Sequence, residues 1–285
     1  MRNLVVSAFI GYHDVAKVSD IVHSWNAVKK EGDEFIVATA GDRTVCHEFL
    51  EDNGITLMWM DTQGHPYHHR FFWYDDIINM HGLEAVNVLC VDIRDVVFQY
   101  NPFDWLKHHR NKTIVACDEG ICHDEEWNGF MLKHAFPKKA RKPEQIPVLN
   151  CGVIAGDVES VSKVCRRIGK MTAELPASAK HNGQEVLVIA DQAAYSLLLK
   201  DRNEQKVGNE QNWCLTMGTA VETLPIIAVD QGQFKTPQGD VYAIVHQYDR
   251  HEVLHYDPAH NKFYAKKKDE APVDTFAFQR GYQSP

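Results

Sequence analysis

The run VNVLCVDIRDVVFQY (86–100) sets two carboxylates and a guanidinium between apolar stretches, Val86 to Val91 before them and Val96 to Phe98 after. If the first stretch is a buried strand, Asp92, Arg94 and Asp95 stand at its carboxyl end. Charges there must be paired, hydrated or bound to a cation, because desolvating an isolated ion costs several kcal/mol or more. Carboxyl ends of strands are also where ligands sit in α/β sheets. The structural alternative is a strand-to-loop turn in which Asp92, Arg94 and Asp95 form an internal ion pair.

Other polar groups interrupt apolar segments in a similar way. Val245-His246-Gln247-Tyr248-Asp249-Arg250-His251 ends a strand pattern in a dense polar cluster. His246 could add a nitrogen to a carboxylate-bound divalent ion, and Mn2+ or Mg2+ suits an oxygen-rich site with one imidazole. A hydrogen-bonded strand end is the alternative. Asp118-Glu119-Gly120, followed by Trp127-Asn128-Gly129, combines a carboxylate, an aromatic face and an amide, which suits sugar hydroxyls as well as a polar surface loop. In Asn150-Cys151-Gly152-Val153-Ile154-Ala155-Gly156 an apolar strand is bracketed by glycines that permit close approach of a ligand or a neighbouring chain. Asp191-Gln192 lies in an otherwise apolar helical pattern and must be hydrogen-bonded to protein or to substrate.

Two basic or turn-like segments complete the set. Gly11-Tyr12-His13-Asp14 follows the first strand without matching GxGxxG or GxxxxGK[ST]. Backbone groups near Ala8 and Gly11 and the Tyr12 ring could hold a base, or Asp14 could simply cap the next helix. His68-His69-Arg70 opens a helix, from which Arg70 could reach a diphosphate or form a surface ion pair. Cys117, Cys122 and His123 include no CxxC and read as buried thiols rather than a zinc site.

The elements that must position these groups alternate. Strand patterns at Leu4–Ile10, Glu34–Ala40, Ile55–Met60, Val86–Val91, Thr113–Cys117 and Cys151–Ala155 are interleaved with helical periods. The helices are expected at Val15–Lys30, Arg43–Asn53, His68–His81, Val158–Leu175 and Gln184–Lys200, with late strands at Ile226–Val229 and Val241–His246. Such alternation predicts an α/β fold, a mostly parallel central sheet with helices on both faces. Pro137–Pro147 reads as a long loop and the segment from Lys266 as an irregular arm. A single domain over 1–285 is expected, with a nucleotide-type half at about 1–120 and an acceptor half at about 121–260, sharing one sheet, before a C-terminal arm at 261–285.

Bulk composition narrows the function classes. With 285 residues, 44% hydrophobic and 24% charged, the chain can bury a substantial core. A formal net charge of −9 argues against a nucleic-acid partner, which requires a dominant basic surface. Seven cysteines without framework spacing, several inside apolar runs, are expected to be reduced thiols in a cytoplasmic protein. No run approaches transmembrane length, so contact with a membrane would be peripheral, with the basic loop PKKARK facing anionic headgroups or an acidic acceptor.

Taken in order, these pieces resemble the nucleotide-sugar-dependent glycosyltransferases of the GT-A (Rossmann-like) fold. DIRDVVFQ-NPF, NCGVIAG, DQAAY and VHQYDRH are similar to segments of bacterial and viral glycosyltransferases bearing a D-x-R-D-V-x-F-Q signature, over roughly residues 3–255. The layout also resembles the retaining galactosyltransferases and glycogenins, whose motif aspartates and late histidine bind manganese. The resemblance implies transfer of a sugar from a nucleotide-diphosphate donor, a UDP- or GDP-sugar, to a hydroxyl of a glycan or lipid-linked acceptor. It implies Mn2+ or Mg2+ on Asp92, Asp95 and His246. A standard Asp-x-Asp would place its second carboxylate at 94, where Arg94 stands, so either Asp95 swings in or Arg94 replaces part of the metal's charge. Arg70, Arg94 and Arg250 would meet the phosphates, with Ala8, Gly11, Tyr12 and Asp92 also on the nucleotide sugar, and Asn150, Gly152, Asp191 and Gln192 would line the donor sugar. Asp191 or Glu119 would act as base if the reaction inverts, and Asp191-Gln192 would stabilise the oxocarbenium-like face if it retains. The other classes in view are a metal-dependent phosphohydrolase or nucleotidyltransferase, and a non-catalytic nucleotide-sugar-binding module.

Overall fold

Four apolar runs form adjacent parallel strands, and their alternate residues enter two separate cores. In the strands β1 (Arg2–Ile10), β2 (Asp33–Ala40), β3 (Thr56–Trp59) and β4 (Ala85–Val91), β1 pairs with β2 and β4, and β2 with β3. Val5, Phe9, Phe35, Val37, Leu89 and Val91 face one layer of helices, while Leu4, Val6, Ile36, Ala38, Val88 and Cys90 face the other. Burial on both faces is why these strands read as continuous rather than alternating apolar runs. The computed structural model describes residues 2–61, 65–109, 113–202, 205–208, 210–220, 229–230, 232–250 and 254–265.

The helices are α1 (Ser19–Val28), α2 (Val45–Asp52), α3 (Pro66–His81), α4 (Pro102–His108), α5 (Glu126–Ala135), α6 (Val158–Thr172), α7 (Asp191–Leu199) and the single turn α8 (Met217–Ala220). Residues of α1, α2 and α4 pack on the first face, where Trp25 meets Phe35, Phe98 and Phe103 edge-on. Residues of α3, α6 and α7 cover the second. No helix among the described residues is long and apolar enough to cross a membrane.

The later strands are β5 (Val96–Phe98), β6 (Ile114–Cys122), β7 (Pro147–Asp157), β8 (Ser178–His181), β9 (Gln184–Leu187), β10 (Lys206–Val207), β11 (Cys214–Thr216), β12 (Val229–Asp230), β13 (Gln233–Phe234), β14 (Ile244–His246), β15 (Leu254–Asp257) and β16 (Lys262–Ala265). Three of them extend the main sheet to the order β3-β2-β1-β4-β7-β6-β10. Only β7 opposes its neighbours; the other six strands run parallel. The sheet is therefore mostly parallel and flanked by helices, the architecture expected from the alternation. The chain moves outward from β1 to β3, and α3 then carries it back to β4 on the other side of β1. In open α/β sheets such a reversal, here at the carboxyl ends of β1 and β4, is where ligands bind. A small sheet, β11-β14-β5, stands beyond it.

Some expectations need correction. The helix expected over Gln184–Lys200 begins only at Asp191, and its first residues form β9 of a hairpin. Asn182 (φ 49°) and Gly183 (φ 82°) make the two-residue turn, an Asn-Gly signal that twist-matched hairpins favour. Val15–Lys30 divides into a 3-10 turn at Val15–Lys17, capped by Asp14, and α1. The late strand is confined to Ile244–His246, Val241 making only an isolated bridge to Lys235. The segments α4 and α5 lie where no helix was expected. Residues 226–228, His251 and the arm beyond 265 lie outside the described residues.

Candidate functional site

The connection between the two sheets creates the site. Asp92 leaves β4, and its N–H donates to the Gly152 carbonyl on β7 at 2.9 Å. Asp95 immediately precedes β5, and its carbonyl accepts from the Gln247 N–H at 2.7 Å. Antiparallel pairing of β14 with β5 sets His246 opposite Val96, one residue from Asp95. One donor atom from each of Asp92, Asp95 and His246 lies within 4.8 Å of the others. His246 Nε2 is 3.4 Å from Asp95 Oδ1 and 3.7 Å from Asp92 Oδ2.

Gly152 makes this convergence sterically feasible. A Cβ at that position would fall 2.6 Å from Asp92 Oδ2 and 2.7 Å from His246 Cε1. The close approach anticipated from the glycine is thus an approach by the site's own side chains.

Counter-charges surround the cluster. Arg70, from the second turn of α3, bridges Asp92 and Asp191, with 2.9 Å to Asp191 Oδ2 and 3.9 Å to Cys151 Sγ. Arg94 lies 3.8 Å from Asp95 and 3.3 Å from Asp249. The internal ion pair of the turn is therefore partly present, but Asp92 turns to Arg70 instead. Burial would raise the Asp92 carboxyl, yet Arg70 and His246 hold it well below the ordinary carboxylate range. Burial would lower His246, yet Asp95 and Asp92 push it up to about 10. Burial raises the Tyr12 phenol, Arg94 pulls it down and Tyr67, Asp92 and Asp95 push it up, so its hydroxyl shares the field of the cluster.

A second set of polar groups adjoins it. Asn150 on β7 donates to Glu119 on β6 at 2.7 Å and accepts from the Gly152 N–H at 2.8 Å. Asp191 opens α7 and accepts from the Gln192 N–H at 2.8 Å, while the Gln192 amide donates to Asn128 Oδ1 at 3.2 Å. Asp191 and Glu119 are both buried. Ala8 and Gly11 stand at the carboxyl end of β1, Ala8 against the α3-side core and Gly11 exposed in the following turn (φ 73°). Arg250 follows the cluster in a 3-10 turn beside Gly218.

The parts played by three further residues escaped the sequence. Asp249 partners Arg94, and burial with the nearby Asp95 raises its carboxyl. Asn128 anchors Gln192. His68, which the sequence placed only at the opening of a helix, is buried and accepts the Ala190 N–H at 3.1 Å, fixing the start of α7. A polar residue at helical spacing among aromatics was the available signal for His68; Asn128 and Asp249 lay in polar segments already noted, but nothing local gave their partners.

The donor set fits a divalent cation. Two carboxylates and one imidazole form an oxygen-rich group, and among the described residues both nitrogens of the buried His246 lack a hydrogen-bond partner.

No protein-family model matches the chain, and no curated protein does. Solved structures of the same α/β architecture do match. The crystal structure of mouse xyloside xylosyltransferase 1, apo form, aligns with a TM-score of 0.52 over 88% of this chain and 99% of that one. At 12% sequence identity the likeness is one of fold.

Proposed function

We propose that the chain transfers a sugar from a nucleotide-diphosphate donor, a UDP- or GDP-sugar, to a hydroxyl of a glycan or lipid-linked acceptor. The observation that carries this reading is the convergence of Asp92, Asp95 and His246 beyond the carboxyl end of β4, where the strand order reverses, on a fold similar to that of a glycosyltransferase. In this reading the three residues hold Mn2+ or Mg2+, which when bound neutralises charge on the diphosphate and the departing nucleotide.

The chain's own residues divide the remaining work. Arg70, pinned between Asp92 and Asp191, orients Asp92 and adds positive charge beneath the phosphates. Arg94, whose side chain is 41% exposed, reaches toward the phosphates from the open side, with Arg250 near it. Ala8, Gly11 and Tyr12 border the nucleotide at the end of β1. Asn150, Gly152 and Gln192 border the donor sugar, and Asp191 or Glu119 acts on the acceptor side. The half at about 1–120 supplies the nucleotide contacts, and that at about 121–260 adds His246, the donor-sugar contacts and most of the acceptor side, within one domain. Seven free cysteines, six of them buried, fit a reducing compartment such as the cytoplasm.

Calorimetric titration with UDP, GDP and their sugar conjugates, with and without Mn2+, tests the proposal. Cation-dependent binding of one nucleotide, with slow donor hydrolysis, is expected. Absence of binding by every nucleotide would overturn it, and binding without any hydrolysis would leave a sugar-nucleotide-binding module.

A further inference from the structure

Away from the Asp92 cluster, the ends of three helices enclose a cleft of about 610 Å³. Lys138, Lys139 and Arg141 come from the loop after α5, Arg167 and Lys170 from the last turns of α6, and Lys200 from the end of α7. Met171, Leu197 and Leu198, all half-buried, line the same cleft. None of its lining residues belongs to the site described above. Asp191 opens α7 and Lys200 follows its last residue, so the cleft and the cation cluster lie at opposite ends of that helix.

The six cations are exposed, and among the described residues none forms an ion pair with a carboxylate. Helix C-termini attract cations, which is the ordinary explanation for lysines at such ends. Each terminus carries only about half a negative charge, so three offset about 1.5 of the six positive charges. About four and a half remain, concentrated on a protein whose formal net charge is −9. Chance placement on an acidic chain does not account for a cleft lined, among the described residues, by six cations and no acid.

We propose that this cleft is an anion-binding surface that docks the protein on phospholipid headgroups of an anionic membrane leaflet. Charge complementarity selects the phosphates, and the aliphatic lining accommodates the glycerol and first methylenes below them. A single-stranded nucleic acid would use aromatic platforms for its bases, and among the described residues no aromatic side chain lines the cleft. Long lysine and arginine stems with mobile charged heads suit the variable spacing of headgroups in a bilayer.

The test is co-sedimentation of the full chain with phosphatidylcholine vesicles and with vesicles that also contain phosphatidylglycerol. Binding to the anionic vesicles only, weakening as salt is raised, is expected. The combined K138Q, R141Q, R167Q and K170Q variant should lose binding by about fivefold per cation removed. Because these side chains are exposed, the variant should keep the wild-type melting temperature and the same cation-dependent nucleotide binding. Equal binding to neutral vesicles, or undiminished anionic binding by the variant, overturns the proposal. Retention of the wild type but not the variant on soluble dextran sulfate, with no vesicle binding, overturns it in favour of an anionic polymer.

Discussion

At Asp95 a single carboxylate serves two counter-charges, His246 at 3.4 Å and Arg94 at 3.8 Å. Replacing Asp95 with Ala removes one of two oxygen ligands from the proposed cation site. Cation-dependent nucleotide binding should fall by at least about a hundredfold, because losing even an outer partner of a metal ligand costs about 10–100-fold. Circular dichroism should show the fold intact, because β5 pairs through its backbone. Gly152 makes a stricter prediction. G152A forces a Cβ to within 2.6 Å of Asp92 Oδ2, so Asp92 or His246 must move. A cost of about 1–3 kcal/mol in urea unfolding is expected, as for other overpacked sites, with cation-dependent binding lost in parallel. Wild-type affinity in G152A would remove Gly152 from the site.

Elements, rather than residues, fix where Asp191 stands. Its helix starts where Ala190 donates its N–H to His68, a bond made by a side chain from α3. H68A leaves that buried N–H unsatisfied, at a cost of about 1–3 kcal/mol. Because Arg70 lies two residues along α3 and contacts Asp191, the variant should also weaken donor binding; unchanged affinity would show that the α3–α7 junction does not position the site. The hairpin that precedes α7 depends on Gly183 at φ 82°. An alanine there should cost about 1–2 kcal/mol by forcing a left-handed conformation, without altering nucleotide affinity.

For the whole molecule, stability should fall on both sides of pH 6.5, and the signs follow from the direction of each shift. Burial lowers His47, His68 and His123, although Thr44, Asp191 and Asn128 respectively act against it, so these rings stay neutral when folded. The unfolded chain takes up their protons as pH drops below 6.5, and stability is lost in that direction. His246 behaves oppositely. Its folded value of about 10 contributes stability that is complete below 6.5 and disappears as pH rises through about 10, when divalent cations are chelated. Urea unfolding across pH 5 to 10 in EDTA measures both limbs, and H246Q should flatten the alkaline one. Saturating Mn2+ with the cognate nucleotide at about a hundred times its Kd should add about 2.7 kcal/mol, seen as a rise of a few degrees in Tm that D95A lacks.

Most of the parallel sheet was legible in the chain, because strands buried on both faces must be apolar throughout and helices packed on them must be apolar at helical spacing. Asp92, Asp95 and His246 were legible for a related reason: charges that interrupt buried runs need partners. Local pattern could not separate β9 from α7, since Gln184–Leu187 and the helix that follows are both rich in apolar residues and the boundary depends on the Asn182-Gly183 turn. Nor could it reveal that Arg70 would be shared by Asp92 and Asp191, or that Asp249 would face Arg94. The cleft at the ends of α5, α6 and α7 was legible only as a basic loop; its other cations come from helices distant in sequence. Composition and periodicity determine which segments must be buried, because transfer from water is a property of each side chain. Pairing among charges is a property of distance, and the crossover of α3 with the return of β14 to β5 sets those distances only when the chain is folded.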